Sequence, residues 1–129
     1  MIINKSIDIE DIIRQALSSH YITTYCRPLP KNFSLPSILV QKVGGSDDAT
    51  IDSFEVVLDS RADTEAAADE TLRTAIGILK AVAGLQTTEL RHVSVNSSGS
   101  WGMDPVRPEL AMCSARLTVV AHQTKVEVS

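Results

Sequence analysis

Apolar residues near the start of the chain recur with a helical period. Ile9, Ile12, Ile13, Ala16 and Leu17 fall at i, i+3, i+4, i+7 and i+8, so they share one face and predict a helix over residues 8–17. Asp8 suits its N-cap, and Glu10 and Asp11 suit the positive end of the helix dipole. Residues 21–25, rich in β-branched and aromatic types, predict a short strand. Pro28, Pro30 and Pro36 then punctuate a loop, because each lacks a backbone donor and restricts the residue before it. A strand is expected over 37–43, a turn over the GGSDDAT segment at 44–50, and a second strand over 51–59. In that second strand Phe54, Val56 and Leu58 point one way, and Ser53, Glu55, Val57 and Asp59 the other. The turn between the two strands predicts a hairpin.

A long helix is expected over residues 64–83. Asp63 or Thr64 can cap it, Glu65 sits in its first turn, and Gly84 fits the left-handed position just past its end. Ala68, Leu72, Ala75, Ile76, Leu79, Val82 and Ala83 form its buried stripe, with alanines small enough for close approach to a sheet. Asp69 and Arg73, four apart, pair on the outer face. In the last third, residues 90–95 predict a strand. Cys113, Ala115, Leu117, Val119 and Ala121 alternate with Met112, Ser114, Arg116 and Thr118, as a half-buried strand requires. The TKVEVS tail also alternates, and either adds an edge strand or waits for a partner.

Between those strands lies SSGSWGMDPVRPE, residues 97–109, read as a long loop with the only Trp of the chain, three charges and two prolines. Two residues would join the strands more economically, and long ordered loops on compact domains tend to carry function. The Trp and prolines argue against a flexible linker, so the segment reads as a docking element. Trp101 either folds back over a gap at the sheet edge or anchors an interface, as Trp and Arg often do. Asp104 and Arg107 either bridge within the loop or pair across a subunit boundary.

The order of elements is helix, short strand, two strands, helix, then two or three strands. Hairpin connections dominate, so the expectation is one α+β domain over residues 1–129, in two layers, with a largely antiparallel sheet and the helices packed on one face. The strand–helix–strand passage from Asp59 to Leu90 also permits a right-handed crossover.

Composition narrows the function classes. Apolar content of 43% and charged content of 22% are ordinary for a globular protein, while aromatics at 4% leave the core to Ile, Leu, Val and Ala. A net charge of −4, a pI near 5.3 and the lack of a Lys/Arg cluster argue against a nucleic-acid grip. Residues 75–83, interrupted by Lys80, are too short to span a membrane, and the N-terminus lacks the basic start and apolar stretch of a signal peptide. Cys26 and Cys113 carry no disulfide or zinc pattern, and read as two reduced thiols of an intracellular protein.

The chemistry of enzymes finds little purchase. His20, His92 and His122 lie in different elements without metal-ligand spacing. The GSWG at 99–102 lacks the spacing of a nucleophile elbow, so Ser98 and Ser100 read as loop formers. Gly44 and Gly45 precede acids that would repel a phosphate. Asp47, Asp48 and Asp52 do not match a calcium loop and read as solvated turn acids. Cys113 falls on the apolar face of its strand, where thiols are usually inert.

The runs FEVVLDSRADTEAAADETLRTAIGIL (54–79) and RHVSVNSSGSWGMDPVRPELAMCSARLTVVAH (91–122) resemble tail terminator proteins of long-tailed phages, most closely those of actinobacterial phages. The resemblance covers most of the chain, with the same order of helix, hairpin, LDSRA, long helix and SGSWG-DP-RP loop. It implies an α+β subunit that forms a hexameric ring on the end of the tail tube, at the head–tail junction of the virion, after synthesis in the host cytoplasm. Such a ring stops tube polymerisation and presents a surface for joining the filled head. The implied partners are further copies of the chain, the tube protein and a head-completion protein, with no enzyme activity, no cofactor, no metal and no membrane. The resemblance also implies that DNA passes through the ring without specific binding, and acidic copies around the pore would limit sticking.

Within that resemblance, subunit contacts are expected at Arg61 beside the long helix and at Trp101, Asp104, Pro105 and Arg107 in the loop. The hairpin turn at Asp47 and Asp48 is expected to reach the tube or the next subunit. Two other classes stay open on the residues alone: another head–tail junction subunit of head-closure or adaptor type, and a small ligand-binding or enzymatic α+β domain with a polar pocket around His92 or Cys113.

Overall fold

The computed structural model describes residues 1–105 and 107–129. Its elements are β1 (Ile2–Lys5), α1 (Ile9–Ser18), β2 (Thr24–Cys26), β3 (Ser37–Asp47), β4 (Ile51–Ala62), α2 (Glu65–Leu85), β5 (Leu90–Met103), β6 (Ala111–His122) and β7 (Thr124–Glu127). Five strands form one sheet in the order β2-β3-β4-β6-β5, antiparallel except for β2 against β3. Both helices pack against this sheet and touch each other. The fold is a two-layer α+β domain, as the hydrophobic pattern predicts. β6 lies between β4 and β5, so the chain leaves β4, crosses by α2 to the sheet edge, and returns to fill the gap.

The pattern succeeds where burial is one-sided. Asp8 caps α1 by accepting from the Asp11 N–H at 3.2 Å, and Ile9, Ile13 and Leu17 are buried. The α2 stripe is buried at all seven expected positions, and Thr64 caps the helix by accepting from the Ala67 N–H. Phe54, Val56, Leu58, Cys113, Ala115, Leu117 and Val119 face these helices in one core cluster. On the opposite sheet face Asp59 is buried, accepting from Gln41 Nε2 and Ser114 Oγ, each at 2.6 Å.

Several expectations need correction. Most of the long 97–109 loop is strand: β5 continues to Met103, paired with β6 down to Ala111. Residues 96–103 are exposed, so no burial alternates there, and two register shifts with a Gly99 φ of +79° blur the period further. The GGSDDAT turn shrinks likewise, since Gly44–Asp47 pair with Asp52–Glu55. Gly45, at φ +148°, lies so close to β4 that a Cβ would stand 2.4 Å from the Ser53 carbonyl oxygen. Gly84 stays helical, and Gln86 (φ 55°) takes the left-handed cap. The short strand falls at Thr24–Cys26, after an exposed Tyr21 at φ 65°. The tail neither extends the main sheet nor waits unpaired. It forms a two-stranded ribbon with β1, a strand the sequence reading did not anticipate.

Candidate interaction surface

The segment that drew attention in the sequence is a projecting, braced sheet end. β5 is an edge strand, and its far half is exposed, with Trp101 47% and Met103 70% accessible. Trp101 pairs with Cys113 in the ladder, and cross-strand partners share a face, so it sits on the helix side of the sheet at the rim of the core. About half of Trp101 is covered at this rim, and the rest is open.

Arg61 is the penultimate residue of the central strand β4, and the register row Ser37–Arg61–Met112–Gly102 sets it level with the end of β5. Asp104 follows that strand directly. The Arg61 Nε donates to Asp104 Oδ2 at 2.5 Å, and the two residues are only 7% and 2% exposed. Asp104 Oδ1 accepts the Arg107 backbone N–H at 3.0 Å, which folds the following turn back on itself. Asp104 and Arg107 thus do bridge within the loop, but through the Arg107 main chain. The Arg107 guanidinium lies over the Phe33 ring, 5.5 Å from its centroid, and donates to Glu109 at 3.2 Å. The Glu109 carboxyl is held below its usual range by a backbone N–H and by Arg107. Phe33, Leu39 and Leu110 are buried but stand outside the main core cluster.

Arg61 and Asp104 consequently present almost no surface to a neighbour. Within the subunit Arg61 holds Asp104, and Asp104 also holds the Arg107 main chain. Trp101 and Pro105 remain exposed and Arg107 half-buried, so these three offer contact surface. Val106 lies outside the described residues. Sequence reasoning missed Met103, the most exposed apolar side chain of the strand, and Phe33. The first was hidden by reading a loop, the second by a partner 74 positions away that no local spacing reveals.

Asp47 and Asp48 lie at the other end of the sheet. Asp48 closes the hairpin tip, its carboxylate accepting the Ala49 N–H at 2.7 Å. Arg61 lies nine residue steps along β4 from Asp52, the partner of Asp47, which is roughly 30 Å of strand. The expected contact residues thus form two groups at opposite ends of the sheet. Asp52 is not the solvated turn acid the sequence suggested; it is 2% exposed.

Burial raises the Cys113 thiol, with Asp69 adding to the effect, and burial followed by the Glu10 charge raises Cys26. Neither thiol is activated as a nucleophile. Among the described residues no cluster of three His, Cys, Asp or Glu is placed to hold a metal ion, and no helix is long and apolar enough to cross a membrane. Comparison with protein-family models and with curated proteins finds no match to the chain.

Proposed function

We propose that this chain is a ring-forming subunit of tail-terminator type: copies close head-to-tail into a ring, six in the tail-terminator pattern, on the end of a phage tail tube, stop its growth and offer the surface for head joining. The observation that carries the reading is the braced end of β5, where Trp101 and Met103 stand open on an edge strand beside the buried Arg61–Asp104 pair. Half-exposed Trp on a rigid support has the character of an interface anchor. The placement of the expected contact residues in two groups at opposite sheet ends supports heterologous contacts, which close into a ring when the rotation permits. Each contact can be weak, because docking on a symmetric tube end raises the effective concentration of neighbours. The two-layer α+β fold agrees with what the sequence resemblance implies.

The test is negative-stain microscopy of lysates from a parent phage with an early stop in this gene. Overlong, headless tails are expected. Tails of normal length beside unjoined heads would move the chain to a head-closure or adaptor role, and normal virions would remove it from the tail pathway.

A further inference from the structure

At the hairpin end of the sheet a cleft of about 190 Å³ opens between β3, β4 and Ser6, with Lys42, Gly45, Asp47, Asp52 and Phe54 on its walls. Asp52 is 2% exposed; its Oδ1 accepts from Gln123 Nε2 at 2.8 Å, while its buried Oδ2 accepts no hydrogen bond. A buried carboxylate oxygen without a partner is costly, and stable proteins seldom keep one without a use. Asp47 is the direct cross-strand partner of Asp52, and like charges in that relation repel. Among the described residues no Lys, Arg or His pairs with either carboxylate. Lys42 reaches the cleft wall but sets its ammonium 5.4 Å from the centre of the Phe54 ring.

We propose that this cleft binds the ammonium or guanidinium end of a basic side chain from a partner protein. The two carboxylates supply the charge complement, and the Phe54 ring already takes one ammonium on its face. The volume lies below that of typical small-molecule pockets, which suits one inserted side chain. A hard divalent cation suits it less, since such ions ask for six or more oxygens and Lys42 already stands on the wall. Asp52 Oδ2 is closed to bulk water, so the entering group parts the lining and completes the unpaired oxygen. The site stands independently of the ring reading, because it rests on the charge and burial of the cleft alone.

The experiment is a ¹⁵N-resolved NMR titration of the full chain with ethylguanidinium chloride, against sodium chloride at equal ionic strength. Saturable shifts are expected at the amides of residues 44–54. Asp52→Asn and Asp47→Asn should each weaken binding about tenfold, the size of a lost charge-assisted hydrogen bond, while Asp48→Asn, outside the cleft, leaves it unchanged. Shifts that match the sodium chloride control, or equal affinity in both cleft variants, would overturn the proposal. Saturation by calcium chloride with no response to ethylguanidinium would overturn it in favour of a metal site. If Asp52→Asn loses its dispersed spectrum, Asp47→Asn decides the matter.

Discussion

Removing Asp104 tests whether the Arg61–Asp104 pair braces the end of the sheet. In Asp104→Ala the Arg61 guanidinium, 7% exposed and with Nη1 already lacking a partner, is left as a buried charge with no counterion. Breaking one side of a buried pair typically costs about 3–5 kcal/mol, a large part of the roughly 5–15 kcal/mol that holds a domain together. At about 2.1 cal/mol/K of unfolding entropy per residue, 129 residues turn each kcal/mol into about 4 °C, so the melting temperature should fall by roughly 10–20 °C. Arg61→Met should cost less, since it leaves Asp104 with the Arg107 N–H as a partner. The double variant should regain much of the loss, because both charges leave together. Thermal unfolding of the four proteins by circular dichroism gives the coupling energy directly. A fall of less than about 3 °C in Asp104→Ala, or single losses that simply add in the double variant, would refute the brace.

Trp101→Ala should leave a folded protein that has lost at most about 2 kcal/mol, since half the side chain is open, yet assembly on tail tubes should fail when followed by microscopy. Gly45→Ala should destabilise by more than about 1 kcal/mol in urea unfolding, because its φ of +148° and the Ser53 carbonyl leave no room for a Cβ. Burial alone would raise the Glu10 carboxyl, but hydrogen bonds from Arg27 and the Lys42 N–H, with their charges, bring it below its usual value of 4.5. The stability Glu10 adds is therefore present above that value and lost as pH falls through its lower folded one. The gap between the wild type and Glu10→Gln should be widest above about pH 5 and close in stronger acid, as urea midpoints across pH will show.

Elements with one wet and one dry face were legible in the sequence. Ile9, Ile13 and Leu17 announce α1, and the stripe from Ala68 to Ala83 announces α2, because burial writes a period into the residues. Residues 97–103 lack that contrast: both faces of the strand end are exposed, and Ser and Gly carry no hydrophobic signal. Asp8 and Thr64 were readable as caps since a cap is a local device. The left-handed Gln86 was not, because a glycine two positions earlier offered the cheaper solution on paper. Arg61, Asp104 and Arg107 were singled out as charges near the right loop, but their roles depend on a pairing across 43 positions. The same holds for Asp52, whose hydrogen-bond donor Gln123 lies 71 residues on.

The placement of β6 between β4 and β5 has a consequence for synthesis. A nascent chain that has left the ribosome only as far as Met103 holds a hairpin and α2, but β5 has no neighbour and the helix stripe faces an unfinished sheet. Long-range pairing of this kind comes late in folding. The domain therefore closes only when residues 111–122 slide between two strands already made. Translation acts as a timer: the sheet cannot be completed until residues 111–122 have emerged.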